Sequence, residues 1–247
     1  MYFSQSFGKI ITREKLTRLD KKTWSKKLVE IKLHKKLPKA TARRLPQYYR
    51  LFKLLVDEKV TRTNSTIISE KIGVDAATIR RDFSLFGELG RRGYGYETLA
   101  LRDFFAELLG QDQETHIALI GVGNLGRALI NYSFQDRNKM RITQAYDIAG
   151  NPLVGTQTDT GIHIYNISDL EKNIANSDVK TAIVSVRKED AQDVADLLVA
   201  SGIKGILNFA PVRLYVPDDV VVQSIDLTKE LQTLLFFMNG KEAHEKD

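Results

Sequence analysis

The chain has 247 residues, of which 43% are hydrophobic and 28% charged, and its net charge is +6. That length allows one large domain or two modest ones, each able to bury a core, and the composition is that of a soluble globular protein. It has no cysteine, which excludes disulfides, thiolate catalysis and cysteine–zinc sites and suits a reducing compartment.

Four histidines, His34, His116, His163 and His244, show no ligand spacing, so no metal site is expected. Leu234 to Met238 is too short to span a bilayer, and the charged N-terminus is unlike a secretory signal; no membrane partner and a cytoplasmic location are expected. The charge is unevenly spread. Residues 1–110 hold 24 Lys/Arg against 12 Asp/Glu, whereas residues 111–247 hold 13 against 19. A basic front half and an acidic back half suggest two tasks, the first suited to a polyanion.

Residues 1–37 read as a basic N-terminal arm. From Pro38 to residue 111 the pattern is helical. Leu45 to Glu58 places Leu45, Tyr48, Tyr49, Phe52, Leu55 and Val56 at helical spacing, entered through Pro46. Asn64 or Ser65 can cap a second helix that Gly73 stops, and Asp75 can cap a third running to Gly90. Two short helices joined by a glycine turn form a helix-turn-helix. On the third helix Ile79, Phe83 and Phe86 should face the core, which leaves Ala77, Thr78, Arg80, Arg81 and Ser84 outside. Arg91, Arg92, Gly93 and Tyr94 follow on a turn suited to a wing that tracks a groove or phosphate backbone. Thr78, Arg80, Arg81, Ser84, Arg91, Arg92, Gly93 and Tyr94 are therefore the candidate contacts to double-stranded DNA. Glu97 to Leu109 is a further amphipathic helix.

Residues 112–225 change rhythm. Ile117 to Ile120 is a continuous apolar run, as in a strand covered on both faces. Gly121, Val122, Gly123, Asn124, Leu125 and Gly126 then form G-x-G-x-x-G, with a helix expected over Asn124 to Tyr132. The first glycine permits a tight turn, the second lets backbone approach a pyrophosphate, and the third allows close helix–strand packing. Asp147 lies 21 positions beyond Gly126, at the end of a second strand, Met140 to Tyr146. An acid there suits adenosine ribose hydroxyls and disfavours a 2′-phosphate, so NAD(H) is expected over NADP(H).

Strands at 163–166, 181–186, 205–209 and 220–225, with helices at 168–176 and 188–201, complete an α/β, Rossmann-type, doubly wound parallel sheet. Ligands bind such sheets beyond the carboxyl ends of the strands. Ser185, Val186 and Arg187, and Asn208 to Pro211, are therefore expected to line the cofactor. Residues 226–247 hold a last helix, Asp226 to Met238, apolar nearly all round. It must be buried on more than one side, either in its own sheet or swapped into a partner subunit.

With DAATIRRDFSLFGELGRRGYGY, GVGNLGRALINY, GIKGILNFAPV and DLTKELQTLLFFM in order, the chain resembles the Rex family of redox-sensing transcriptional repressors from about Pro38 to Met238. The resemblance implies a winged-helix domain, a Rossmann domain and a homodimer bridged by a domain-swapped C-terminal helix. It also implies repression of fermentative and respiratory genes. Palindromic operators are bound by the free or NAD⁺ form and released with NADH. Gly121 to Gly126 match the family's cofactor loop and Asp147 its ribose acid, with Val186, Tyr132 and Leu227 completing the expected contacts. Arg50, Tyr132 and Asp226 match positions that couple cofactor to DNA-binding domain. Arg187 departs from the family, which usually has proline there, and residues 1–36 exceed its usual N-terminus.

No catalytic residue is expected. A dehydrogenase would need a substrate domain and a proton-transfer group, and only one helix follows the sheet. Two other readings are a DNA-binding regulator sensing a different nucleotide or an acyl-CoA, and an architectural DNA binder whose Rossmann unit only dimerises.

Overall fold

The computed structural model describes residues 37–90, 93–111, 113–132 and 139–244; the arm, Arg91 and Arg92 lie outside them. The chain divides into two compact units, Met1–Asp112 and Gln113–Asp247. Among the described residues no helix is long and apolar enough to cross a membrane.

In the first unit, α1 (Lys39–Asp57) buries Leu45, Tyr48, Leu51, Phe52 and Leu55 along one face. It begins after Pro38, earlier than expected, and Pro46 is interior. Pro46 has no N–H to give the carbonyl of Ala42. That interior cost is about 3 kcal/mol, and five buried apolar side chains on the same helix outweigh it. β1 (Arg62–Thr63) leads to α2 (Ser65–Ile72). Asn64 caps α2 by accepting from the Thr66 and Ile67 N–H groups, and Gly73, at φ 67°, ends it.

Asp75 caps α3 (Ala76–Ser84) in the same way. The helix was expected to reach Gly90 and stops six residues short, passing into turns in which Gly87 adopts φ 89°. β2 (Tyr96–Glu97) pairs antiparallel with β1, and α4 (Thr98–Leu108) closes the unit. Glu97 is thus a strand residue rather than helical. The core is largely aromatic: Tyr48, Phe52, Phe83, Phe86, Phe104 and Phe105 pack with centroids 5.0–6.3 Å apart.

The described residues of the second unit form six strands, β3 (Thr115–Ile120), β4 (Met140–Asp147), β5 (Ile164–Asn166), β6 (Thr181–Val184), β7 (Gly205–Asn208) and β8 (Val221–Ser224). They lie in the order β5-β4-β3-β6-β7-β8, every neighbouring pair parallel. Its helices are α5 (Asn124–Ile130), α6 (Leu170–Ala175), α7 (Ala191–Ala200) and α8 (Leu227–His244).

The apolar run of β3 splits by parity, because successive side chains alternate faces. Ala118 and Ile120 join Leu170, Ile174, Ala195 and Leu198 of α6 and α7 on one side. Ile117 and Leu119 join Ile130 of α5 and Ile142 on the other. Both faces of the sheet are therefore covered. β4–β5 and β7–β8 are connected without a helix.

α8 runs on past Met238 to His244, further than expected. Of the two expected ways to cover it, it does not pack into its own sheet. Leu227, Leu231, Leu234, Leu235, Phe236, Phe237 and Met238 are between 46% and 73% exposed.

Candidate cofactor site and nucleic-acid interface

The strand order reverses between β3 and β6, and the loops leaving those two strands meet at the carboxyl edge of the sheet. The glycine-rich loop leaves β3. Gly121 has φ 95°, and a Cβ there would lie 2.6 Å from the Ser185 carbonyl oxygen. Ser185 Oγ donates to the Gly121 carbonyl at 2.8 Å, joining the two loops. A Cβ on Gly126 would collide with the Gly121 carbonyl oxygen, so α5 packs against the turn only because residue 126 is glycine. Gly123 is different, since a Cβ there meets nothing within 4 Å. Its glycine answers to no neighbour in the protein, as expected where a pyrophosphate would approach the backbone.

Asp147 ends β4 beside this loop. One carboxylate oxygen, Oδ2, accepts from the Val122 N–H at 2.7 Å and from Asn151 Nδ2 at 2.8 Å; the other accepts from the Ile148 N–H at 2.7 Å. Direct contacts thus draw together Gly121, Val122, Gly126, Asp147 and Ser185, and Val186 lies half-buried next to Ser185. Asn151, the second anchor of Asp147, was not anticipated; an asparagine four residues on reads as ordinary turn chemistry. Asn124 and Leu125 are exposed at the start of α5, where Arg127 Nη2 donates to Asn124 Oδ1 at 2.8 Å.

Arg187 turns back along its own segment to Asp190 at 2.9 Å. Asn208, fully buried, holds the next loop: its Nδ2 donates to the Ala210 and Val212 carbonyls, and its Oδ1 accepts from the Ala210 N–H. On β4, burial pushes the hydroxyl of Tyr146, the residue before Asp147, up to about 12 while it donates to Gln144 at 2.6 Å, which makes it a poor proton-transfer group near neutrality.

The remaining expected positions lie on other elements. Tyr132 lies in the turn after α5, and a seven-residue helix sets it about 10 Å along the axis from the loop. Asp226 caps α8 by accepting from the Lys229 N–H at 3.1 Å, and Leu227 is the first residue of that helix, 63% exposed. Arg50 is exposed on α1, in the other unit.

In that first unit Ala77, Arg80, Arg81 and Ser84 are exposed on α3 and Thr78 is half-buried. Arg80 Nη1 donates to Ser65 Oγ at 2.9 Å, and Ser84 Oγ donates to the Arg81 carbonyl at 2.7 Å, so neither side chain is idle without a ligand. Gly93 and Tyr94 lead into β2, with Tyr94 exposed and the Arg62 guanidinium 5.6 Å from its ring centroid. Between α3 and the β1–β2 pair with the turn before β2 is a groove of about 650 Å³ lined by Arg62, Ser65, Arg80, Ser84 and Tyr94. Arg62 was missed because only the pairing of β1 with β2 brings it to the wing.

Asp82 was also missed. It is 2% exposed and accepts hydrogen bonds from Thr41, Arg44 and Tyr48. Burial pushes its carboxyl up, but the bonds from Arg44, Tyr48 and Thr41 and the charge of Arg44 hold it below its ordinary value.

Residues 112–212 match the family model described as "CoA binding domain", and residues 36–84 match "Putative DNA-binding protein N-terminus". The chain is 81% identical over 215 residues to the redox-sensing transcriptional repressor Rex of Lactococcus lactis subsp. cremoris, covering 87% of this chain and 100% of that protein. Identity to the protein of that name from Streptococcus pneumoniae is 55% over 206 residues, covering 83% and 97%. Among solved structures, the repressor RSP in complex with β-NAD⁺ and operator DNA superposes with a TM-score of 0.78 at 36% identity, covering 86% of this chain and 97% of RSP. RSP in complex with β-NADH superposes with a TM-score of 0.75 at 34% identity, covering 86% and 99%. A relative matched over its whole length at such identity settles the lineage: the chain belongs to the Rex family of redox-sensing transcriptional repressors.

Proposed function

We propose that this chain is a cytoplasmic, homodimeric repressor, not an enzyme, that binds palindromic operator DNA and releases it when NADH occupies the second unit. The observation that carries the reading is membership of the Rex family at 81% identity, together with relatives solved on β-NAD⁺, β-NADH and operator DNA. The geometry supports an assignment of each part. Residues 112–225 hold the dinucleotide, with the open side of Gly123 for the pyrophosphate and Asp147 for the adenosine ribose, flanked by Val122, Asn124, Leu125 and Val186. Residues 38–111 hold the DNA, with Thr78, Arg80, Arg81 and Ser84 on α3 and Arg91, Arg92, Gly93 and Tyr94 at the wing.

Residues 226–247 carry the dimer contact. An exposed apolar helix of 18 residues needs a partner surface, and a second copy that exchanges the same helix provides one. Two-fold symmetry in turn calls for a palindromic site. Tyr132 and Leu227 then meet cofactor in the assembled dimer, and Arg50, Tyr132 and Asp226 exchange partners between the two states. NADH drives release only by binding the released state more tightly; a hundredfold preference supplies about 2.7 kcal/mol.

Fluorescence anisotropy on a palindromic duplex enriched by the protein from a random-sequence pool, at fixed salt, tests the reading. Titration with NADH is expected to release the DNA at far lower concentration than NAD⁺ or NADPH. Tight binding indifferent to all three would leave a DNA-binding protein and remove the sensor. The match of residues 112–212 to a CoA-binding model favours one alternative ligand, and coenzyme A in the same titration decides it.

A further inference from the structure

The outward residues of α3 can read bases only if the helix is held in one register against α1. Part of the contact between these helices is aromatic, with Phe83 packing on Tyr48 and Phe52. Apolar packing has no preferred direction, so it tolerates small rotations and slides. Asp82, next to Phe83, breaks this pattern. Its Oδ1 accepts from Thr41 Oγ1 at 2.8 Å and from Arg44 Nη2 at 2.7 Å. Its Oδ2 accepts from Arg44 Nε and from Tyr48 Oη, each at 2.6 Å. The three donors occupy positions i, i+3 and i+7 of α1, one stripe of that helix, and they meet a single side chain of α3.

We propose that Asp82 is a positioning residue for sequence-specific DNA recognition, pinning α3 to α1 so that Arg80 and Arg81 are presented in one fixed register. The inference rests on the DNA-binding reading above. A two-pronged arginine–carboxylate contact needs both groups coplanar, which fixes the rotation of α3 as well as its position along α1. A slide of one residue is about 1.5 Å along a helix axis, enough to break all four bonds. A buried ion network is weak evidence of stability, since well-packed apolar residues of similar size can replace it at no loss, but it can dictate one arrangement. Base readout needs donors placed to within a fraction of an ångström, whereas attraction to phosphates tolerates slack. Loosening the pin should therefore cost specific binding and spare non-specific binding.

Two variants of the full-length chain test this. Asp82→Asn breaks the two-pronged contact. The combined replacement T41V/R44M/Y48F/D82L removes the whole network with no change in net charge and keeps the core apolar, so it remains informative if Asp82→Asn fails to fold. Each is measured by fluorescence anisotropy on the palindromic duplex selected by the wild-type protein and on a scrambled duplex of equal length, with NADH fluorescence titrated on the same samples. The expected result is a fall of tenfold or more in affinity for the selected duplex, scrambled-duplex affinity within twofold of wild type, and unchanged NADH affinity. A combined variant that keeps the wild-type ratio between the duplexes overturns the proposal, as does one whose two affinities fall together. Wild-type protein that does not distinguish the duplexes at all would instead refute the DNA-binding reading from which the inference starts.

Discussion

Substituting Gly123 with alanine should stabilise the empty protein and yet spoil its ligand binding. The residue has φ −73° and ψ −162°, which alanine adopts without strain, and a Cβ there touches nothing. Removing a glycine from the unfolded chain at such a site stabilises by about 0.4–1 kcal/mol. That corresponds to a rise in Tm of roughly 1–4 °C for a protein of this size. The ligand meets the opposite effect. On the proposed placement the new methyl group stands where backbone N–H groups would approach the pyrophosphate, and loss of one hydrogen bond to a charged group costs about 1.5–3 kcal/mol. Affinity for NADH should then fall roughly 10- to 150-fold.

Thermal unfolding of the unliganded protein and an NADH fluorescence titration read the two quantities on one sample. Gly126→Ala is the contrast. Its Cβ collides with the Gly121 carbonyl, so it should lower Tm and leave no clean ligand effect to interpret. Gly123→Ala with wild-type NADH affinity would refute the placement of the phosphates. A Tm lowered by several degrees would refute the claim that only a ligand requires glycine there.

Three further outcomes are expected. Asp147→Ala removes the acceptor shared by Val122, Asn151 and the proposed ribose, so NADH affinity should drop at least tenfold by fluorescence titration; unchanged affinity would count against the assignment. Asp82 has a folded pKa below its unfolded one, so its contribution is present above the ordinary carboxylate value, 3.8, and disappears as pH falls through the folded value. Near-UV circular dichroism of the first unit's aromatic core should therefore lose its signal on acidification with a steeper dependence below that ordinary value in wild type than in Asp82→Asn; equal slopes would show that Asp82 titrates alike in both states. A chain ending at Asp226 should sediment as a monomer and lose most of its affinity for a palindromic duplex, and a truncated chain that still sediments as a dimer would mean that α8 is not the dimer contact.

What the sequence discloses here is mostly local. Asn64, Asp75 and Gly73 mark helix ends because a cap is a contact between near neighbours, and all three take those roles. The apolar run of β3 and the three glycines after it are equally plain, since each reflects a rule acting within a few residues. The pin at Asp82 is hidden for the converse reason. Its donors are 34 to 41 residues away, and an aspartate between Arg81 and Phe83 carries no local sign of burial.

Local stop signals also mislead where tertiary structure decides. α8 continues through Asn239 and Gly240, which by propensity should end it, and α1 runs through Pro46. The early end of α3 has a local cause, the left-handed conformation of Gly87. The greasiness of α8 is legible but its destination is not, because periodicity registers the need for cover without naming what supplies it.

The bond from the Val122 N–H to Asp147 is made between two groups of the protein and uses no atom of a ligand. A loop that must be ordered by its ligand gives up binding energy and time to do so; this one is already shaped by its own carboxylate. Shaping of this loop then adds no step of its own to the encounter. The slow variable becomes the dwell time of the nucleotide. A repressor built this way keeps pace with its surroundings as fast as the previous ligand leaves, so substitutions that lengthen residence would blunt its response even where they improve affinity.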